Sequence, residues 1–373
     1  MNVIYFSDIN WNFLWQRHQQ IVTRFPEDWN ILFMQPSFFI LLLQQPAWAL
    51  PRRLKNIRIA SLITVPWVDR LPKFVRRIND HMVVLFSRLL LKIYRMEDPV
   101  VIISEPRFSG VVGKLRERLV CYDFIDNRLE FAGVPDWMEH NINFLLSEAD
   151  LVFASGQNLY DMASERRERD LYLIGNGVDV EHFKRAMGDI AIPEDVRAVK
   201  KPVLGFVGAV SDWIDFQLIE EILKSGVSVV LIGPVMGKIE ELEGLESYPN
   251  FHLLGKRPYS SLPGYIKGFD ACIIPFKLNE LTRCFNPVKV HEYLAAGKPV
   301  ISTALPEIEM YKDVVYIAKD SRAFMDCIDE ALGTDYDRAK ALRMAAENDW
   351  GKKVEEMVEL IVNHPAVKSE KND

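Results

Sequence analysis

Short apolar runs alternate with amphipathic stretches along most of this chain, and this alternation constrains the fold more than any other feature. The apolar runs are typical of strands and the stretches between them of helices. Strands that alternate with helices favour a parallel sheet covered by helices on both faces. Since the pattern begins near residue 2 and starts afresh at residue 203, the sequence predicts two such domains.

The first half has predicted strands and helices throughout. Its strands lie near residues 2–7, 29–34, 57–63, 99–104, 119–123, 150–154 and 171–175, and its clearest helices span 11–24, 81–96, 136–148 and 156–166. In the second half we predict strands at 203–208, 227–232, 251–255, 270–275, 299–303 and 314–318, and helices at 215–225, 260–268 and 287–296. We therefore expect both halves to be α/β and Rossmann-like, with parallel sheets facing each other across a cleft.

The predicted domains are 1–185 and 200–335, separated by a polar stretch with Gly188 and Pro193. Closing helices occupy 336–364, and we expect the tail 365–373 to be disordered.

Charge and cysteine usage narrow the function classes. With 45 basic and 52 acidic residues, the net charge of -7 argues against a general nucleic-acid binder. The four cysteines have no metal-ligand spacing, so we expect reduced thiols in a cytoplasmic protein and no metal site.

Targeting and nucleotide-binding signals are also informative. We find no secretion signal, and the longest apolar run, residues 38–43, is too short to cross a bilayer. Any membrane contact is therefore expected to be peripheral. Neither a dinucleotide-binding glycine motif nor a P-loop motif occurs.

The segment from Asn286 to Val300 predicts a short helix with a charged ligand at its N-terminus. Asn286 suits the cap, Pro287 suits the first helical position and Gly297 suits the end. Lys289 and Glu292 share one face near that end, where free N–H groups and the helix dipole favour an anion. The alternative is an ordinary ion pair on a solvated helix.

This Pro-x-Lys-x-x-Glu-Tyr-Leu-Ala-x-Gly-x-Pro-Val segment resembles the nucleotide-sugar binding helix of GT-B glycosyltransferases of group 1 type. The form is similar to that of bacterial teichuronic-acid-type and xanthan-type surface polysaccharide transferases. Asn176-Gly177-Val178-Asp179 also resembles the segment that closes the N-terminal domain in that group.

The resemblance implies an acceptor domain at 1–185 and a nucleotide-sugar donor domain at 200–335, with the closing helices 336–364 across the junction. It also implies that Lys289 contacts the donor diphosphate and Glu292 the ribose or sugar, helped by Pro287 and Val288. The chain departs from the pattern at two points. The loop after the strand at 203–208 lacks the usual Arg and Lys, and Cys284 stands where retaining enzymes have a second Glu. Retention or inversion therefore stays open.

Other donor-side candidates follow strands of the second half. Gly208 permits close approach of a ligand, and Ser211 lies in the same loop. Asp215, farther along this loop, has a second interpretation as an ordinary helix cap. By resemblance, Lys256 and Arg257 lie beside the nucleotide base, although they fit a solvated turn equally well.

Asp123 and Asp126 end a strand of the first half, where carboxylates point toward ligands and an acceptor hydroxyl needs a general base. Asp126 is our first candidate and Asp123 the second, and either has the alternative of capping a turn.

Acceptor-binding candidates are Asp8, Trp11, Gln16 and Arg17, after the first strand. Sugars stack on aromatic faces and bond to amides and guanidinium groups. The alternative for Trp11, Trp15 and His18, on one side of the predicted helix 11–24, is packing.

Two segments suggest a surface that faces lipid: residues 38–43 with Trp48, and the basic residues Arg70, Lys73, Arg76 and Arg77 before the apolar helix near 82–91.

The sequence and the resemblance together predict a metal-independent glycosyltransferase. We expect it to move a sugar from a nucleotide sugar, specifically a UDP-sugar, to a saccharide or polyprenyl-linked acceptor at the inner face of the plasma membrane. The alternatives are a sugar-nucleotide epimerase of similar fold and an inactive nucleotide-sugar binding subunit.

Overall fold

The computed structural model of the chain describes residues 1–38, 52–65, 71–130, 133–283, 288–333 and 336–368. It contains two compact units: residues 1–175 with 353–373, and residues 176–352. The first unit ends at Gly175, earlier than the predicted 185, and the chain returns to it at Lys353.

The first unit contains a single eight-stranded sheet. Its strands are β1 (Asn2–Phe6), β2 (Asn30–Phe38), β3 (Arg52–Leu54), β4 (Ile57–Thr64), β5 (Val100–Ile103), β6 (Leu119–Phe124), β7 (Leu151–Ala154) and β8 (Leu171–Leu173). The strand order is β3-β4-β2-β1-β5-β6-β7-β8, and neighbouring strands are parallel apart from the antiparallel pair β3–β4. The order reverses direction between β1 and β5, which is where open α/β sheets bind ligands.

Helices cover this sheet: α1 (Arg17–Val22), α2 (Lys73–Tyr94), α3 (Trp137–Glu148) and α4 (Gln157–Ser164). The strands of the centre, such as β5, are completely buried, as expected for a parallel sheet with helices on both faces.

The second unit has a six-stranded parallel sheet of order β11-β10-β9-β12-β13-β14. Its strands are β9 (Val203–Val207), β10 (Ser228–Ile232), β11 (Phe251–Leu253), β12 (Ala271–Ile274), β13 (Val300–Thr303) and β14 (Val315–Ala318). The corresponding switch point lies between β9 and β12.

The remaining helices are α5 (Val180–Lys184), α6 (Glu194–Arg197), α7 (Phe216–Lys224), α8 (Glu240–Leu245), α9 (Leu262–Gly268), α10 (Glu280–Arg283), α11 (Val288–Ala295), α12 (Ser321–Gly333), α13 (Arg338–Glu347), α14 (Trp350–Asn363) and α15 (Pro365–Lys368). Short 3-10 turns lie at Pro106–Val111, Arg128–Glu130, Arg185–Met187, Tyr259–Ser261 and Pro306–Tyr311. The fold class is thus the predicted α/β class, in two units.

The predicted helix 11–24 is wrong at its start, since α1 begins at Arg17. The Gln19 side chain accepts from the Gln16 amide at 3.0 Å and donates to the carbonyls of Trp11 and Leu14. This capping box keeps the preceding residues out of the helix.

Three further predictions need correction. Helix α2 begins at Lys73 rather than at 81, directly after Pro72, a residue suited to a helix start. Strand β3 was not predicted, because its three residues are exposed and carry no apolar pattern. The tail contains α15 at Pro365–Lys368, while residues 369–373 lie outside the described part of the chain.

Cys121 and Cys272 are buried free thiols in β6 and β12, as expected. Cys284 lies outside the described residues.

Candidate functional site

The predicted ligand-binding helix is present as α11, which ends at Ala295. The Gly297 amide donates to the Leu294 carbonyl, and φ is +67° at Gly297, so a glycine closes the helix as predicted. Asn286 and Pro287, the predicted cap and first helical position, lie outside the described residues.

Lys289 and Glu292 form an ion pair on α11, with Nζ 2.8 Å from Oε2. The Lys289 side chain is 24% exposed and that of Glu292 only 4%. The solvated-helix alternative is therefore wrong for Glu292, and this carboxylate is held inside the unit. Lys289 keeps part of its ammonium-bearing side chain accessible to a ligand.

Gly208 lies beside Lys289 at the carboxyl end of β9. A Cβ atom built on Gly208 would lie 3.5 Å from Lys289 Cε and 2.8 Å from Phe206 Cζ. A Cβ atom on Gly233 would lie 1.7 Å from the Gly208 carbonyl oxygen, so the loops after β9 and β10 touch through glycines. The predicted lysine thus lies over bare backbone at the switch point of the second sheet.

Other donor-side candidates have structural partners. Ser211 is buried, and its hydroxyl lies 3.1 Å from Asp212 Oδ1. Asp215 accepts from the Leu218 amide at 3.0 Å, which supports the cap interpretation. Val288 is the first residue of α11, next to Lys289.

Arg257 and Lys256 differ in environment. Arg257 donates to the Tyr265 hydroxyl at 2.7 Å and to Asp195 at 2.9 Å, and so joins α6 to α9. Lys256 is exposed. The exposure of Lys256 fits the solvated-turn alternative, and Arg257 pairs with Asp195 and Tyr265 within its unit.

Three carboxylates of the first unit converge at its switch point. Asp8, Glu105 and Asp126 each follow a strand by two positions, after Phe6, Ile103 and Phe124 of the adjacent strands β1, β5 and β6. Because the carboxyl ends of parallel strands share one edge, this spacing brings the three side chains to the same place.

Arg128 lies among these carboxylates. Its guanidinium contacts Asp8, and Nη2 is 3.0 Å from Glu105 Oε2. His18 Nε2 is 3.0 Å from Asp8 Oδ1 on the other side. We name Asp8, His18, Glu105, Asp126 and Arg128 the carboxylate cluster.

The carboxylates of this cluster differ in proton affinity. Burial raises the pKa of Asp8, but His18 and Arg128 outweigh this and hold the pKa below its ordinary value. Burial raises the pKa of Glu105, against the attraction of Arg128. Burial likewise raises the pKa of Asp126, with Arg128 opposing the rise and Asp8 adding to it. Asp126 is half-buried, so part of its surface is open to solvent.

Asp123 and Arg17 need correction as site residues. Asp123 is completely buried and Arg17 is 3% exposed. Arg17 Nη2 donates to Asp123 Oδ1 at 2.7 Å, and the Tyr5 hydroxyl donates to Asp123 Oδ2 at 3.1 Å. This burial and these hydrogen bonds favour a structural role for Asp123 and Arg17 over proton transfer and acceptor binding.

The other acceptor candidates, Trp11, Gln16 and Asp8, differ in how exposed their side chains are. Trp11 is buried against Phe33, with ring centroids 5.0 Å apart, which supports the packing interpretation. Gln16 is exposed, and Asp8 is 21% exposed within the carboxylate cluster.

Sequence reasoning missed His18, Glu105 and Arg128 as members of the cluster. The signal for Glu105 was available, since it follows the apolar run Val100–Ile103 as Asp126 follows its own strand. Nothing in the sequence indicated that Arg128 would lie between them.

Among the described residues, no group of three or more His, Cys, Asp or Glu side chains is placed to hold a metal ion. No helix in the same part of the chain is both long and apolar enough to cross a membrane.

Comparison with known proteins gives a family match within the second unit. Residues 201–334 match the model of the family Glycosyl transferases group 1. The chain is 29% identical over 223 residues to the "Putative teichuronic acid biosynthesis glycosyltransferase TuaH" of Bacillus subtilis (strain 168), covering 55% of each protein. The match thus spans about half the length of that curated relative.

Solved structures resemble the chain over nearly its full length. One described as "Trehalose-6-phosphate from E. coli bound with UDP-2-fluoro glucose" has a TM-score of 0.73 at 12% identity, covering 98% of this chain and 99% of that chain. Anabaena Alr3699/HepE in complex with UDP and glucose has a TM-score of 0.70 at 15% identity, covering 98% and 100%. These likenesses confirm the predicted GT-B fold.

Proposed function

We propose that this chain, whose residues 201–334 form a group 1 glycosyltransferase domain, transfers a sugar from a UDP-sugar to a saccharide acceptor. The observation that carries the proposal is the position of Lys289, over the glycine backbone at the carboxyl end of β9 and near the start of α11. A cation, backbone N–H groups and a helix N-terminus together suit a diphosphate.

The choice of UDP is supported by the related structures from E. coli and Anabaena, which contain UDP-2-fluoro glucose and UDP with glucose. Synthesis of a bacterial surface polysaccharide is supported by the similarity to the Bacillus subtilis protein. For such a pathway we propose an acceptor carried on a polyprenyl lipid, and work at the inner face of the plasma membrane.

In this proposal the second unit holds the donor, through Lys289, Glu292 and the loop at Gly208. The first unit holds the acceptor, with Asp126 as general base if the transfer inverts the anomeric centre. No step requires a metal ion, since Lys289 and the helix N-terminus supply the charge that stabilises the leaving diphosphate.

The test is calorimetric titration of UDP. Removing a charged hydrogen bond costs about 1.5 to 3 kcal/mol, so Lys289→Ala should weaken binding about tenfold or more. Lys312→Ala is the matched control, because Lys312 is an exposed lysine of the same unit whose ion pair with Glu309 lies at the surface. Equal UDP affinity in the wild type and Lys289→Ala would reject the donor site.

The alternatives give different results in a turnover assay. An epimerase would isomerise or hydrolyse the UDP-sugar with no acceptor present. An inactive binding subunit would bind the UDP-sugar and release no UDP even with the acceptor. The proposed transferase releases UDP in step with acceptor glycosylation.

A further inference from the structure

Helix α2 presents a continuous apolar face to solvent. The side chains on this face are 41 to 65% exposed: Phe74, Ile78, Met82, Leu85, Leu89 and Ile93. The opposite face, which includes Val83, Val84 and Leu90, is buried in the unit. The exposed face is therefore additional to the face that packs, and exposed apolar patches of this kind mark interaction surfaces.

The charged side chains beside this face are basic. Arg77, His81, Arg88 and Lys92 are exposed next to the apolar residues, and the single acid of the helix, Asp80, is half-buried. An apolar helix face bordered by cations is complementary to an anionic lipid surface. We call the six apolar side chains and these four residues the lipid face.

A cavity of about 800 Å³ adjoins the first turns of α2 and α3. Four cations line it, Lys73, Arg76, Arg77 and Arg107, against the two carboxylates Asp80 and Asp136. This volume is within the ~300–1,000 Å³ usual for ligand sites. An excess of guanidinium groups in a cavity favours a phosphate group.

The cavity lining shares a residue with the lipid face and includes a residue close in sequence to the carboxylate cluster. Arg77 belongs to the cavity lining and to the lipid face. Arg107 lies two positions after Glu105, and Asn141 in the lining donates to the Pro106 carbonyl at 3.0 Å. The guanidinium of Arg76 lies 5.4 Å from the centre of the Trp137 ring, which holds its charge at the cavity wall.

We propose that this cavity binds the phosphate or diphosphate of a lipid-linked saccharide while the lipid face of α2 lies in the bilayer interface. The phosphate would then sit between the membrane and the carboxylate cluster, so the attached sugar could reach Asp126. The identity of the lipid as the acceptor rests on the proposed function. Binding of a phosphorylated lipid at this place does not.

The experiment is co-sedimentation of the full chain with vesicles of phosphatidylcholine, with and without added polyprenyl diphosphate. We expect binding to the vesicles that contain polyprenyl diphosphate and weak binding to phosphatidylcholine alone. Lys73→Gln with Arg77→Gln should weaken binding about tenfold or more, since each cation near an anionic surface contributes about fivefold. Ile78→Ser with Leu85→Ser should weaken it to a similar degree.

Matched controls lie in the second unit. Lys238→Gln removes an exposed lysine and Met310→Ser an apolar side chain that is 66% exposed, so neither should change vesicle binding. Thermal denaturation of every variant checks that the first unit, which carries these substitutions, is folded. UDP titration separates the two proposals, because loss of vesicle binding with intact UDP binding affects the lipid site alone.

Soluble inorganic pyrophosphate distinguishes a lipid phosphate from a free one. Pyrophosphate binding that depends on Arg77, together with vesicle binding that depends on Leu85, supports the proposal. Pyrophosphate binding without any vesicle binding would overturn the lipid part. A different outcome is a dimer in solution that dissociates in the Ile78→Ser, Leu85→Ser variant, again without vesicle binding. That result would assign the lipid face to contact with a second copy of the protein and would also overturn the lipid part of the proposal.

Discussion

Asp123 and Asp126 lie three positions apart in the sequence and meet opposite environments. Asp123 is enclosed by Arg17 and Tyr5, whereas Asp126 is half-buried beside Arg128. The first carboxylate is a structural ion, and the second combines access with a raised pKa, which suits a general base. From the sequence, Asp126 is the first candidate and Asp123 the second, and in the structure their side-chain partners distinguish them.

Asp126→Asn should lower the turnover number about 100 to 10,000-fold, because a general base contributes that much, and leave the affinity for UDP unchanged. Asp123→Asn should instead destabilise the first unit by on the order of 3 kcal/mol, since Arg17 loses its buried partner. Steady-state kinetics and thermal denaturation of both variants make the comparison. A fully active Asp126→Asn enzyme would refute the base assignment and favour a mechanism in which the donor phosphate assists the acceptor.

The raised pKa of Asp126 predicts an acid limb in the pH profile of kcat/KM, above the ordinary aspartate pKa of about 3.9, because the base works only when deprotonated. The same shift bears on stability. A carboxyl group whose pKa is higher in the folded than in the unfolded chain destabilises the folded state progressively as the pH rises from the unfolded to the folded pKa, and fully above the folded pKa. Asp126→Asn should therefore melt at least as high as the wild type at neutral pH, and a clearly lower Tm would contradict this.

In an ordinary ion pair on a solvated helix, the loss of Glu292 would hardly affect stability. Glu292 is in fact buried and paired with Lys289. Glu292→Gln should therefore both weaken UDP-sugar binding and lower stability by about 1 to 3 kcal/mol. Chemical denaturation measures the second effect. Glu280→Gln is the control, because Glu280 is 83% exposed in an equivalent i,i+3 pair with Arg283.

At the scale of elements, the caps determine where helices begin. Asp215 caps α7 and the box of Gln16 and Gln19 delays α1 until Arg17. In α1 the capping box overrode the helical spacing of Trp11, Trp15 and His18, which is why these side chains do not form one helix face.

Asp215→Ala should cost about 1 kcal/mol of stability, because the Leu218 amide loses its acceptor, while UDP affinity stays unchanged. Asp215→Asn should keep most of the stability, since Asn is an equally good cap. Denaturation and UDP titration test the pair. A large loss of UDP affinity in Asp215→Asn would assign Asp215 to the donor site.

At the scale of the whole molecule, the chain crosses between its units twice, after Gly175 and again at Lys353. After the second crossing, the C-terminal part of α14 belongs to the first unit, where Val354, Met357 and Ile361 are buried. Residues of α14 border a shallow pocket with Leu151 and Tyr172, at the β7–β8 end of the first sheet.

Met357→Ala should destabilise the first unit by about 2 to 5 kcal/mol, the usual cost of removing a buried Met side chain. UDP binding should persist, because the proposed donor site lies in the second unit. Calorimetric scans with and without UDP measure both effects, and Glu355→Ala on the exposed side of α14 is the control. If Met357→Ala weakened the free energy of UDP binding as much as it lowered the free energy of unfolding, the two units would not unfold independently.

The sequence by itself determined the α/β class, nearly every strand, and the short helix that carries Lys289 and Glu292. These depend on local features, namely apolar runs, turn residues and spacing along one helix, which are readable without the rest of the chain. The short exposed strand β3 lacked such a local feature and was not predicted.

Only the tertiary structure decided which polar residues meet. Arg128 lies among carboxylates that follow three strands. Arg17 pairs with Asp123, which is 106 positions away in the sequence, and the chain returns to the first unit in α14. Whether a carboxylate is a base or a buried ion depends on its solvent access and its neighbours in space. Those neighbours come from distant parts of the chain, and no local pattern in the sequence encodes them.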